Sequence, residues 1–488
     1  LPDQRAEAYA LGELGHLYEV SSQWGEAKDL TEQAIHLAQG INGVDIEAPW
    51  QWQLGRILKQ QGKPVEAIAA YTDAVHSLRF LRQELVTLDP DFQFSFTEKV
   101  EPVYRELVSL VLAQNPDQAN LQTARELIQD LQYAELYNYF REPCLQATPQ
   151  SIDGVDDKAA VIYPIILADR LVVIASMAEH PLYYYETRLH QSEIEAAIDQ
   201  LRLYLNPHFF DEDRLSLSQQ LYDWLIRPAE TALADNDIQT LVFVLDGSLR
   251  SLPMAALHDG QQYLIEKYNV SLNPGLQLLE PRSLELGQLK TLTAGLSQSH
   301  RGFNALPAVE IEVNQIAKQV PSTVLLNQDF TSDHLKQVID SVPFPVVHLA
   351  THGRYGAKVE DTFLVTWDSQ INVRQLDELL RARERDIAHP LELLVLSACQ
   401  TATGDKRAAL GLAGFAIRSG ARSTLATLWQ VNDDSTAQLM VAFYQQLTQH
   451  PEITKAEALR QAQLQLLRQS AYQHPFYWAP FVLIGNWL

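Results

Sequence analysis

The sequence predicts two fold classes in series: α-helical hairpins over roughly the first third, then an α/β domain on a mainly parallel sheet in two lobes. Three observations predict it. A pattern of small and large residues repeats within the first 80 positions, apolar positions keep a helical spacing from 76 to 141, and short β-branched runs alternate with amphipathic stretches from 151 onward. A chain of 488 residues exceeds one domain of ordinary size. The expected organisation is repeats over 1–82, a helical linker over 83–150, a first lobe over 151–285 and a second over 286–488.

The repeat comes first. Leu14-Gly15 is followed by Tyr18, Ala27 and Ala34, and Leu54-Gly55 by Leu58, Gly62, Ala67, Tyr71 and Ala74 at closely matching offsets. Small residues where the helices of a hairpin cross, with large ones filling the gap, make the tetratricopeptide pattern. The copies lie 40 positions apart, against a usual period of about 34, and the excess is assigned to an insert around Gly40-Ile41-Asn42-Gly43. The sequence opens on Leu1 in mid-pattern, so it reads as a piece of a longer chain. Val100, Val103, Leu107, Leu110 and Val111, then Ala124, Leu127, Leu131 and Leu136, continue the helical spacing. Cys144, just beyond, reads as a small packed residue.

In the α/β part, strands are expected over 160–176, 182–187, 241–245, 290–296, 323–326, 345–350, 362–366, 391–396, 423–428 and 481–485. Helices are expected near 191–205, 215–233, 308–319, 331–340, 373–384, 408–419, 434–448 and 453–469.

Composition narrows the function classes. Hydrophobic residues make up 46% and charged residues 20%, the balance of a folded soluble protein. The net charge of −24 argues against nucleic acid or an anionic membrane as a direct partner. Two cysteines, Cys144 and Cys399, make no disulfide framework and fit a reducing compartment. With neither a secretory leader nor an apolar run long enough to span a bilayer, a cytoplasmic protein is expected.

Two strands end in reactive residues. The run Phe344–Ala350 breaks at Thr351-His352-Gly353, and Leu391–Leu396 breaks at Ser397-Ala398-Cys399-Gln400-Thr401. Ligands bind at the carboxyl ends of the strands in an open parallel sheet, so imidazole and thiol are expected to meet along one edge. An imidazole that takes the thiol proton raises the thiolate fraction and can later protonate a leaving amine. The N–H groups of Gly353 and Cys399 could form an oxyanion hole. No acidic third member is evident, and a backbone carbonyl could orient the imidazole as well. His348, His352 and Cys399 are also potential zinc ligands, but Val346-Val347-His348 reads as strand and a fourth ligand is missing. No metal or other cofactor is expected, and His348 reads as a satisfied core histidine.

His348-Leu-Ala-Thr-His352-Gly353 with Ser397-Ala-Cys399-Gln-Thr401 resembles the CHAT family, caspase-related domains associated with tetratricopeptide repeats. Asp246-Gly-Ser-Leu-Arg-Ser-Leu-Pro253, Gly411-Leu412, Gly420-Ala-Arg, Leu428-Trp429-Gln-Val-Asn-Asp433-Asp434 and Trp478–Gly485 resemble it too. Glu101-Pro-Val-Tyr104-Arg105 fits the linker between repeats and peptidase. The resemblance implies a caspase-like fold of the separase and gingipain type, with 151–285 a pseudo-catalytic lobe and 286–488 the catalytic one. It also implies a cysteine endopeptidase with His352 and Cys399 as its dyad. Trp429-Gln-Val-Asn-Asp433 looks like a separase stretch whose final Asp binds Arg, which implies cleavage of a protein substrate after Arg or Lys.

Alternatives stand beside these assignments. Asp433 lines the specificity pocket, or the run Asn432–Ser435 caps the following helix, with Asp434 then the better cap. Trp429 walls the pocket or is core. Asp246 is a second acidic candidate for substrate, or a turn residue. Asp405 reads as a solvated loop residue or a substrate contact, and the resemblance to peptidases cut between their two halves implies a candidate processing site at Lys406-Arg407. The other function class is a non-catalytic scaffold on a decayed peptidase fold. A regulatory protein partner is expected to dock on the repeats and reshape loops 353–361 and 401–408.

Overall fold

The computed structural model describes residues 3–85, 96–113, 115–140, 152, 154–274, 284, 289–356, 361–381, 391–397, 399–401 and 419–488. The chain divides into two compact units, Leu1–Gln146 and Ala147–Leu488.

The first unit begins with four helices, α1 (Gln4–Val20), α2 (Trp24–Gly40), α3 (Val44–Gln60) and α4 (Pro64–Leu85). Asp3 starts α1, its carboxylate accepting the N–H groups of Arg5 and Ala6. The three turns are alike: Ser22, Asn42 and Gly62 sit at their centres with φ of 58°, 52° and 72°. Left-handed backbone at a fixed interval ends each helix in the same way. The expected insert at Gly40–Gly43 is therefore an ordinary turn, and the long period comes from helices of 17 residues each. Ala27, Ala34, Ala67, Tyr71 and Ala74 are fully buried, as the tetratricopeptide pattern requires. Gly55 shows why: a Cβ there would lie 2.6 Å from the Tyr71 ring. Gln53 ties the hairpins together, its amide donating to the Gly12 carbonyl at 3.0 Å and to Thr31 Oγ1 at 2.8 Å. Two further helices, α5 (Glu101–Val111) and α6 (Gln118–Phe140), bury Val103, Leu107, Val111, Ala124, Leu127 and Leu131. Cys144 lies outside the described residues.

Among the described residues, the second unit is organised by a sheet of eleven strands. In chain order the unit's strands are β1 (Ala159–Ile166), β2 (Leu171–Met177), β3 (Tyr183–Thr187), β4 (Thr240–Phe243), β5 (Asn269–Leu272), β6 (Thr291–Gly295), β7 (Ser322–Leu326) and β8 (Val346–Ala350). They continue with β9 (Gly353–Tyr355), β10 (Phe363–Val365), β11 (Gln370–Asn372), β12 (Leu393–Leu396), β13 (Cys399–Thr401), β14 (Ser423–Thr427) and β15 (Phe481–Gly485). The large sheet runs β3-β2-β1-β4-β5-β15-β14-β12-β8-β6-β7, and β11-β10-β9-β13 form a second, small one. Strands β1, β4, β5 and β15 are mutually parallel, and so are β14, β12, β8, β6 and β7. The two blocks run in opposite directions because β15 pairs antiparallel with β14. Strands β8 and β12 are buried at every residue, which is why they read as unbroken apolar runs.

Some expectations change. The run 160–176 is an antiparallel hairpin, not one strand, turning where Leu167 N–H donates to the Arg170 carbonyl at 2.9 Å. Both arms are buried on both faces, so the apolar run hid the turn. The helix expected over 215–233 is two, Asp211–Leu225 and Glu230–Asp235, with a 3-10 turn at Arg227–Ala229. Pro228 lacks the N–H that would carry one helix through. Residues 402–418, with Asp405, Lys406-Arg407 and most of the expected helix at 408–419, lie outside the described residues.

Two helices, Pro307–Gln319 and Asp433–Gln449, pack on each other beside the carboxyl ends of β6 and β14. Gly295, at the end of β6, allows the first to lie close, since a Cβ there would come within 2.6 Å of Val309.

Candidate active site

Strands β6, β8, β12 and β14 are parallel, so the segments leaving their carboxyl ends gather at one edge. His352 follows β8, Cys399 follows β12, and Trp429 to Asp433 follow β14. Gly353–Tyr355 and Cys399–Thr401 pair as neighbouring parallel strands of the small sheet, with Cys399 opposite Gly353. Adjacent strands lie about 4.8 Å apart, so the backbone of Cys399 sits beside the residue that follows His352.

His352 is held on two sides. Its backbone carbonyl accepts the Val365 N–H at 2.8 Å, which ties it to β10. Its ring stacks on Phe303, with centroids 5.0 Å apart and 28° between planes. Nε2 lies 2.8 Å from the Asn304 carbonyl oxygen. A carbonyl can only accept, so Nε2 carries a proton, and in the neutral tautomer this selects, the lone pair is on Nδ1. That is the tautomer a base needs, and a backbone carbonyl fixes it where no carboxylate does.

Beside His352 lies a cavity of about 20 Å³, lined also by Asp433, Glu312, Thr436, Leu306 and Val309. It has room for about one water. Asp433 Oδ2 accepts the Ala308 N–H at 2.8 Å, so this carboxylate caps the neighbouring helix Pro307–Gln319. Its own helix is capped by Asn432, whose Oδ1 accepts the Ser435 N–H at 3.0 Å; Asp434 is not the cap. Burial pushes the Asp433 carboxyl up, and the charges of Glu312 and Asp434 add to this against the Ala308 N–H and His352. Glu312 is itself buried, its Oε1 2.7 Å from His348 Nε2, and Tyr444 Oη is 3.2 Å from His348 Nδ1. Burial, then the Glu312 charge, holds the Tyr444 hydroxyl far above its usual range, so it keeps its proton and can donate to His348. His348 is thus a core histidine with both nitrogens satisfied.

The family model described as CHAT domain matches residues 215–486, more than half of the chain. The chain belongs to the CHAT family. Tetratricopeptide repeat protein 28 of Mus musculus is 24% identical over 324 residues, covering 54% of this chain and 13% of that one. Its Homo sapiens counterpart is 22% identical over 322 residues with the same coverage. The chain therefore spans only about an eighth of these relatives' length. Among solved structures, the Saccharomyces cerevisiae separase–securin complex is 9% identical with a TM-score of 0.42, covering 98% of this chain and 46% of that one. The Arg-specific cysteine proteinase gingipain R is 8% identical with a TM-score of 0.35, covering 61% and 74%. Both scores are below 0.5, and the fold rests on the strand order and the family match.

Within the CHAT domain the expected site residues divide. His352, Gly353, the Cys399 backbone and Asp433 converge. Trp429 reaches the same edge, but its indole is half-buried against Phe476, at 6.5 Å and 23°, and donates to the Phe476 carbonyl at 3.4 Å. Asp246 does not join them. It lies three residues beyond the end of β4, four strands from β12, and the antiparallel β15–β14 pairing puts that end at the opposite edge of the sheet. Its buried carboxylate accepts the Ile166 N–H at 3.0 Å, so Asp246 is a turn residue that anchors β1. Sequence reasoning missed Phe303, Asn304 and Glu312. Asn304 acts through its backbone, which no residue type announces. Glu312 could have been noticed as an acidic residue on the buried side of an amphipathic helix.

Proposed function

We propose that this CHAT domain is a cysteine endopeptidase with His352 and Cys399 as its dyad, acting on a protein substrate after a basic residue. The observation that carries the reading is the register of Cys399 against Gly353, together with the Asn304 carbonyl on His352 Nε2. In the reaction, His352 Nδ1 takes the thiol proton and the Cys399 sulfur attacks the scissile carbonyl. The N–H groups of Gly353 and Cys399 stabilise the oxyanion. The imidazolium gives its proton to the leaving amine as the peptide bond breaks, and water then hydrolyses the thioester. Asp433 and Glu312 supply negative charge for a guanidinium or ammonium group.

The cavity beside Asp433 has room for about one water and not for an arginine side chain. Substrate entry therefore requires the loops around it to part, which suits a latent enzyme opened by a regulatory protein bound to the repeats. The same closed cavity favours a second reading, a protein-binding scaffold without turnover.

The test is cleavage of fluorogenic peptides with Arg, Lys, Asp or Met before the scissile bond, comparing wild type with Cys399→Ala, His352→Ala and Asp433→Asn. Cleavage after Arg that all three substitutions suppress supports the peptidase. If the panel stays silent and an electrophile labels Cys399 no faster than Cys144, the scaffold reading stands.

A further inference from the structure

His352 depends on a loop that belongs to another strand. The segment 297–306 leaves β6, and its base is closed by Leu306 N–H donating to the Ser297 carbonyl at 3.0 Å and Ser297 N–H to Asn327 Oδ1 at 2.9 Å. Its tip is a two-residue hairpin. His300 and Phe303 pair across Arg301 and Gly302, which have φ of 50° and 82°. Phe303 stacks on His352, and the next carbonyl, that of Asn304, accepts from its Nε2.

The other arm of this hairpin is gripped from the small sheet. The His300 ring lies flat on Trp367, with centroids 4.2 Å apart and 10° between planes, and its Nε2 hydrogen-bonds the Trp367 carbonyl. The Arg301 guanidinium bonds the Asp368 carbonyl. The turn 366–369 is fixed in its own right. Thr366 N–H donates to the Ser369 carbonyl at 3.0 Å, and Trp367 N–H to the Phe330 carbonyl at 2.8 Å. The Asp368 carboxylate takes the Ser332 N–H and hydroxyl at 2.8 and 2.9 Å. This turn directly follows β10, which pairs with β9, and β9 pairs with the Cys399 strand β13.

The contacts close a ring: His352 to Val365 through backbone, Val365 to Trp367 along the chain, Trp367 to His300, and across the hairpin to Phe303, Asn304 and His352. We infer that Trp367 and His300 are positioning residues, a latch that fixes the imidazole against the small sheet carrying the thiol. This rests on the dyad reading above and adds to it the element that sets the dyad's alignment. Because His300 and Phe303 face each other across a two-residue turn, freeing one side of the hairpin frees the other. A misplacement of about 1 Å at a reacting group can cost about 100-fold in rate.

The experiment uses the full chain carrying Cys144→Ser, so that Cys399 is the single thiol. Iodoacetamide alkylation of Cys399 is followed against pH, with kcat and KM on the peptide that wild type cleaves best. Trp367→Ala should lower kcat about 10- to 100-fold with KM within about twofold. Its alkylation at neutral pH should fall toward that of an ordinary thiol of pKa about 8.5. Trp367→Phe, which keeps a flat ring for His300, should restore most of both. If Trp367→Ala melts early, Arg301→Ala on the exposed tip carries the test, with the same direction and a smaller loss. A Trp367→Ala or folded Arg301→Ala protein with wild-type kcat and alkylation profile overturns the latch. Identical profiles for wild type and His352→Ala overturn the dyad and the latch together.

Discussion

Glu312 is the residue whose removal tests the buried support of the site most directly. It is 1% exposed, and its partner His348 is 0% exposed. Glu312→Ala leaves the His348 Nε2–H without the acceptor now 2.7 Å away. Leaving a buried donor unsatisfied costs about 1–3 kcal/mol and losing a buried methylene about 0.8 kcal/mol, so about 2–4 kcal/mol together. At about 2.1 cal/mol/K per residue, the unit Ala147–Leu488 unfolds with roughly 0.7 kcal/mol/K of entropy, so its Tm should fall by about 3–6 °C. Glu312→Gln keeps an oxygen at the same place and loses only the charge, so a loss of about 1–2 kcal/mol and about 2 °C is expected. Scanning calorimetry on the full chain reads both, with the transition of the repeat unit as internal control. A shift below about 1 °C for Glu312→Ala, or equal shifts for Ala and Gln, would refute the assignment of a buried pair. The Gln variant has a second readout. Burial and the Glu312 charge both raise the Asp433 carboxyl, so in Glu312→Gln the acid limb of Arg-directed cleavage should move to lower pH.

Asp433→Asn keeps an oxygen for the Ala308 N–H but no charge, so kcat/KM on Arg peptides should fall about 10- to 100-fold. Its Tm at pH 7 should rise slightly, because a carboxyl with a raised pKa lowers stability as pH climbs past its ordinary 3.8; the gain should vanish near that value in a pH series of melts. His474 has its pKa lowered to about 4, by burial first and by Arg214, against Asp211, and its Nδ1 accepts the Phe476 N–H at 3.1 Å. Stability tied to this group is present above its ordinary 6.5 and lost as pH falls toward 4, and His474→Asn, which can still accept that N–H, should flatten the fall in melts. In the repeats, Gly55→Ala forces a methyl against Tyr71, so the first-unit transition should weaken by about 1–3 kcal/mol while the second stays unchanged.

What was legible in the sequence followed from period and burial. Ala27, Ala67 and Tyr71 stood out because a hairpin crossing accepts only certain sizes, and β8 and β12 because both faces of a parallel strand are apolar. That the segments carrying His352 and Cys399 leave neighbouring strands at one edge followed from the rule on strand ends. Other features hang on partners far away in sequence. Strand β13 has three residues and exists because β9 is there to pair with. Asp246 and Asp433 are both acidic residues at strand ends, and only the direction of β15 separates them. The cap of Pro307–Gln319 comes from Asp433, 125 positions from Ala308, so no local motif marks it.

The position of β15 sets an order on synthesis. Phe481–Gly485 is inserted in the middle of the sheet, between β5 and β14, although it is the last strand described. A chain emerging from the ribosome can assemble β1 to β5 as one half and β6 to β14 as another. It cannot join them until Phe481–Gly485 arrives. Each half then waits with one bare edge, and the segment after β14 that carries Asp433 lacks its neighbouring strand. A nascent or truncated chain would be without a finished centre. The two halves of the sheet can therefore close only after Phe481–Gly485 has left the ribosome.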